Sequence, residues 1–118
     1  MRYFLVLFAA AVAVAQQPRQ WPPPGMRCPQ RTLVLFEQGA NGAKAGQFFD
    51  EHIAYLLAQM KSGKILSAGP ASSGPAAAVF TSTDWPEVEE ILKNEPFTRE
   101  GVMKVSSHAV WNACEAAN

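Results

Sequence analysis

The heptapeptide RTLVLFE, Arg31 to Glu37, sets the strongest limit on how this chain folds. Its β-forming residues alternate in two sets, Leu33 with Leu35 and Val34 with Phe36, and both sets are apolar. A strand of that kind is covered on both faces, so the sheet that contains it needs a layer on each side. With 118 residues, the chain is long enough for one such core and too short for two domains.

Downstream, the periodicity alternates between helix and strand. Gln38 to Gly46, with Gly39, Asn41, Gly42 and Gly46, reads as a flexible loop of the kind that borders sites, and its glycines match no phosphate-binding spacing. From Gln47 to Ser62 the apolar residues Phe49, Ile53, Leu56, Leu57 and Met60 recur at threes and fours. That spacing predicts an amphipathic helix, ended by Gly63 as a left-handed cap and with Lys61 suited to its last turn. Lys64 to Ala68 and Ala76 to Thr81 read as strands of a hairpin, joined through the loop Gly69 to Pro75. A second helix is expected from Asp84, where Asp84 and Glu87 have capping-box spacing and Pro86 falls in the first turn. Val88, Ile91 and Leu92 form its buried stripe.

This helix should stop before Pro96, leaving Asn94 to Gly101 as a connecting loop. Val102 to Trp111 is the last strand, with Met103, Val105, Ala109 and Trp111 on one face. The order β-α-β-β-α-β is that of a ferredoxin-like α+β fold with a four-stranded antiparallel sheet. Its two helices cover one face of that sheet only. Because strand one is apolar on both, a homodimer packed sheet against sheet is expected.

Residues 1–15, MRYFLVLFAAAVAVA, carry Arg2, an apolar run, and small residues Ala13 and Ala15 at the spacing a signal peptidase prefers. We read them as a cleaved secretory signal, which implies a secreted or periplasmic protein with no stable membrane anchor after cleavage; a retained anchor is the alternative. Residues 16–30, QQPRQWPPPGMRCPQ, hold five prolines and form an extended tether. The folded domain then spans 31–114. Ten basic side chains balance ten acidic ones, so nothing in the charge supports a nucleic-acid partner.

The only cysteines, Cys28 and Cys114, bracket the domain. In an oxidising compartment they pair if the start of the first strand and the end of the last are antiparallel neighbours. Such a bridge closes a loop of about 85 residues and is worth on the order of 4 kcal/mol in the chain-entropy model. A catalytic thiol is the other reading. Two cysteines without a CxxC, and two histidines, give no support for a metal site, and no motif calls for a cofactor.

Of the side chains that carry chemistry, His52 is the best general acid/base candidate, lying on the first helix beside Phe49 and Leu56. On position alone it also reads as an ordinary amphipathic boundary residue. His108 falls on the last strand, on the face opposite Trp111, where it would line the dimer interface. Asp50 and His52, two apart on a helix, cannot form a dyad. Ser72 and Ser73 in the hairpin loop offer hydroxyls, although loops take serine for turn chemistry more often. Glu95 is a loop carboxylate next to Pro96. No GxSxG, P-loop, HExxH or dinucleotide fingerprint occurs.

Two strings, EHIAYLLAQMKSGKILSAGP from Glu51 to Pro70 and NEPFTREGVMKVSSHAVW from Asn94 to Trp111, resemble the YCII-related family of dimeric α/β-barrel proteins. The resemblance spans Arg31 to Trp111. It implies the same fold and dimer, a pocket between sheet and helices, and an unidentified small-molecule ligand. It also places His52 at the family's histidine, which is paired there with an aspartate in the loop after the Gly-Pro turn and proposed to act in acid/base catalysis; some relatives eliminate chloride from chlorinated hydroxyquinones. Here that loop reads Ala71, Ser72, Ser73, Gly74, Pro75, without a carboxylate, and the family's Asp-Pro-Phe is Glu95-Pro96-Phe97. Ser72, Ser73, Glu95 and Phe97 are therefore the pocket candidates beside His52. Two functions follow: a small lyase or isomerase in which His52 moves a proton on an aromatic or enolic molecule, or a secreted dimer that binds a ligand or serves a structural role without turnover.

Overall fold

In a computed structural model of the chain, residues 19–74 and 76–118 are described. The expected signal sequence, the first residues of the expected tether and Pro75 lie outside them. The described residues form two compact units, one of residues up to Cys28 together with 114–118, and one of residues 29–113.

In the first unit, β1 (Met26–Arg27) pairs antiparallel with β6 (Glu115–Ala116). A Cys28–Cys114 disulfide staples them, as the sequence leads one to expect, and Arg27 Nε lies 2.8 Å from Glu115 Oε1. Trp21 stands exposed.

The second unit runs β2 (Gln30–Gln38), a turn of 3-10 helix (Gly42–Lys44), α1 (Ala45–Lys61), β3 (Ile65–Pro70), β4 (Ala76–Phe80), α2 (Trp85–Asn94), α3 (Pro96–Arg99) and β5 (Met103–Asn112). Its strands form one antiparallel sheet in the order β3-β4-β2-β5. This is the expected α+β, ferredoxin-like arrangement. The apolar double strand, β2, takes a central place, and Gln30 pairs with Asn112 at the end that leads toward both cysteines.

Residues directly opposite on antiparallel strands share a face, so the ladders divide the sheet residues into two sets. Val34, Phe36, Ala78, Phe80 and Ile65 join Val88, Ile91 and Leu92 of α2 in one buried cluster, with Tyr55, Leu56 and Met60 of α1 packed against it. Both helices therefore lie on that face. Leu33, Leu35 and Val79 point the other way and are only half-buried.

Five local expectations change. A register shift between Leu35 and Phe36 makes Phe36 pair with Val105 and Leu35 with Ser107, leaving Ser106 as an extra residue in β5. Met103 and Val105 thus join the helix face, whereas Ala109 and Trp111, opposite Leu33 and Arg31, lie on the open one. His108, opposite Val34, is on the helix side and stacks on Trp85 with ring centroids 3.5 Å apart. The loop after β2 is pinned, since Gly39 N donates to Val102 O and Asn41 N to Gly101 O, and a Cβ on Gly39 would come within 2.2 Å of Gly101 O.

The capping box at Asp84 does not form. Asp84 occupies the cap position without a side-chain bond, and Ser82 Oγ instead accepts from Asp84 N and donates to Glu87 Oε2, both at 3.0 Å. The segment expected to be pure loop after α2 contains the single turn α3. Gly63, with φ +78, ends α1 as expected.

Candidate active site

The site begins with the break between α2 and α3. Pro96 forces the residue before it out of the helical region, and Glu95 is extended at φ −75, ψ 125. That kink swings its side chain onto the first turn of α3. Glu95 Oε2 accepts from Thr98 N at 2.8 Å and from Thr98 Oγ1 at 3.0 Å, making Glu95 the N-cap of a helix that has Pro96 at its first position. The other carboxylate oxygen, Oε1, is free to face α1, and it hydrogen-bonds His52 Nδ1. Glu95 is 2% exposed, a burial that a carboxylate tolerates because both of its oxygens are hydrogen-bonded.

His52 reaches that carboxylate because it lies on the inner flank of α1, one turn before Tyr55 and Leu56. Its ring is fixed twice. Phe97, two residues past Glu95, stacks on it with centroids 3.8 Å apart and planes 4° from parallel. The carboxylate fixes the second direction by holding Nδ1, and in the neutral tautomer whose Nδ1–H donates to Glu95 the lone pair is on Nε2. Nε2 has no hydrogen-bond partner among the described residues.

This pair forms part of the wall of a cavity of about 360 Å³ between the sheet and the helices. Ala68, Ala76 and Ala78 make its floor, and Phe49, Ile53 and Leu56 of α1 overhang it. Among the described residues that line it, His52 and Glu95 alone have polar side chains. The cavity exists because β3 and β4 place small residues where a larger side chain would meet α1. A proton-transfer pair in an otherwise apolar pocket is a common form of small-molecule site.

Tyr55 borders the pair and donates its hydroxyl to Ile91 O at 2.7 Å. Burial first, then the nearby Glu95 and Glu90 carboxylates, push its phenol above the ordinary tyrosine value. On the outer side, Arg99 Nη2 lies 3.3 Å from Glu51 Oε2.

Of the sequence candidates, His52, Glu95 and Phe97 come together in one wall. Ser72 and Ser73 lie exposed in the β3–β4 loop and are not among the lining residues. His108 is engaged with Trp85, away from the pair. Among the described residues there is no cluster of metal-ligating side chains, and no helix is long and apolar enough to cross a membrane.

The direction of Glu95 is what the sequence reading missed. Its signal is the run Glu95-Pro96-Phe97-Thr98, an acidic residue before a helix-starting proline with a hydroxyl three positions on. The alanine floor was written in the run Ala76 to Ala78, which reads as strand without announcing a cavity.

No protein-family model matches the chain, and no curated protein matches it. Among solved structures, it is similar to the 5-chloro-2-hydroxyhydroquinone dehydrochlorinase TftG from Burkholderia phenoliruptrix AC1100, in complex with 2,5-dihydroxybenzoquinone. The two share 20% identity with a TM-score of 0.48, over 74% of this chain and 93% of that one.

Proposed function

We propose that this chain is an exported, YCII-like homodimer that moves protons on a small enolic or aromatic molecule, in the manner of a lyase or isomerase. The observation that carries the reading is the His52–Glu95 pair in the wall of an apolar cavity. In this reading His52 Nε2 takes a proton from a carbon or hydroxyl of the substrate, and the electron pair left behind enters an enolate. Return of that proton to a different atom completes an isomerisation; expulsion of a leaving group with the electron pair completes an elimination. Glu95 holds the tautomer and orients the ring, and Phe97 restricts its tilt.

Glu95 supplies, from the Glu-Pro-Phe segment, a carboxylate that the hairpin loop lacks. That favours the catalytic reading over a dimer that only binds. The signal-like residues 1–15 and the Cys28–Cys114 bridge support export. The half-buried apolar face of Leu33, Leu35 and Val79, with Trp111 43% exposed beside it, supports a second copy packed sheet to sheet. Sedimentation should then give twice the mass of one mature chain, and Leu35→Lys should return it to one.

The catalytic reading is tested in deuterium oxide, with hydroxyquinones and enolisable ketones as probes and NMR as the readout. Wild-type protein should accelerate proton exchange, and His52→Ala should lower that rate by about 10²- to 10⁴-fold, the range of general acid–base catalysis. Glu95→Gln should lower the rate as well, because the ring then loses the carboxylate that orients it. An exchange rate indifferent to His52→Ala rejects the role given to His52; probes that bind yet keep their mass and their protons leave the non-catalytic binding dimer in its place.

A further inference from the structure

The cavity does not end at the edge of the core. Phe49 and Ile53 both line it, yet they are 52% and 38% exposed. One turn further along the same face of α1 stands Leu57, which lies outside the cavity and is 50% exposed. These three residues, spaced by four, make an apolar stripe that begins inside the pocket and continues onto the surface. Leu66, 49% exposed at the register shift of the edge strand β3, adds a further apolar residue outside the pocket.

An isolated exposed leucine needs no explanation, whereas a row of them that shares two members with a ligand cavity does. Three large apolar side chains of one helix, each more than a third exposed, forgo the burial that would otherwise stabilise it.

We infer that the ligand of this site is an amphiphile: a polar, proton-bearing ring or enol at His52 and Glu95, with an apolar tail that leaves the cavity past Phe49 and Ile53 and lies along Leu57. The inference rests on the reading of His52 and Glu95 as the polar end of the pocket and adds the chemical class of what enters it. The two polar groups are bonded to each other and the rest of the lining is apolar, which matches a molecule whose polar part is confined to one place; His52 lies beside the exit, with Phe49 6.4 Å from its ring, so a tail attached to that polar part can leave directly. Continuity between cavity and stripe, through Phe49 and Ile53, identifies the tail as the occupant of the stripe.

The test uses resorcinol and its 4-ethyl, 4-butyl and 4-hexyl derivatives, with affinity measured by titration calorimetry on the mature chain. At roughly half burial, each added methylene should tighten binding about twofold, so hexyl should exceed ethyl by about tenfold or more. Leu57→Ser should flatten that chain-length dependence and leave resorcinol itself unaffected, because Leu57 is outside the cavity. Val110→Ser, equally exposed but on β5, controls for unspecific adsorption and should change nothing. Affinity independent of chain length, equal losses in Leu57→Ser and Val110→Ser, or no binding of any member overturns the inference. Binding of hexylresorcinol through Leu57 that is unaffected by His52→Ala sustains the tail and rejects the polar head, so the two readings fail separately.

Discussion

The two long helices cover the same face of the sheet but are held to it in different ways. α2, of ten residues, buries Val88, Ile91 and Leu92 in the core. α1 has seventeen residues and no fully buried one. Leu56 and Met60 pack partway, Phe49 and Ile53 overhang the cavity together with Leu56, and Leu57 stands half-exposed. Polar bonds add to that partial packing: Tyr55 to the Ile91 carbonyl, His52 to Glu95, and Glu51 to Arg99. α2 closes the core, and α1 roofs a space. Local stability follows buried apolar contact, so α1 is expected to open more readily than α2.

The same truncation should therefore have unequal effects on the two helices. Leu92→Ala, at a buried position of α2, should cost about 2–5 kcal/mol. Leu57→Ala, half-exposed on α1, should stay within about 0.5 kcal/mol. Urea unfolding of both variants checks the contrast. A large loss for Leu57→Ala would mean that α1 is anchored by apolar burial after all.

Enlarging the floor separates the packed end from the hollow one. Val34 is fully buried within the core cluster, and Val34→Leu should cost about 1–3 kcal/mol through overpacking. Ala78 faces the cavity. Ala78→Leu has room for its added carbons and should leave stability unchanged or raise it by about 0.5–2 kcal/mol, as cavity filling does, while abolishing proton exchange. If the two variants lose stability equally, the space above Ala78 is not a usable pocket.

This contrast also explains how much could be read beforehand. The order of elements, the sheet and the cysteine pairing were legible because they follow from strong local periodicity and from which strands must be neighbours. The faces of β5 were not. Met103, Val105, Ala109 and Trp111 alternate cleanly in sequence, but Ser106 inserts into the ladder, and one extra residue exchanges the faces of everything beyond it. That error carried His108 to the wrong side of the sheet. At the site, the histidine was legible as a residue and its partner only as a loop carboxylate. The turn that aims Glu95 depends on Pro96 and Thr98 together. The cavity was illegible because it is made by what the alanines lack.

The smallest effect concerns the tether between the helices. The last four carbonyls of a helix have no partner within it, and Ile91 provides the first of these in α2, since Glu95 N turns back to Leu92 O. Tyr55 satisfies that orphan from α1 at 2.7 Å. Tyr55→Phe keeps the ring and removes the bond, and should cost about 0.5–1.5 kcal/mol. The pH dependence has a definite sign. Burial, with Glu95 and Glu90 nearby, raises the folded phenol above its ordinary value, so the folded state holds this proton more tightly than the unfolded one. Its contribution is complete below the unfolded tyrosine pKa and is lost as pH rises through the folded one. A chain without residues 1–15 has Tyr55 as its sole tyrosine, so ultraviolet absorbance of the phenolate reports this group alone. Its midpoint should lie above that of the denatured chain, and stability should decline over that interval in wild type but not in Tyr55→Phe. Should both proteins decline together, the loss comes from other titrating groups, and the Tyr55 phenol does not couple the attachment of α1 to pH.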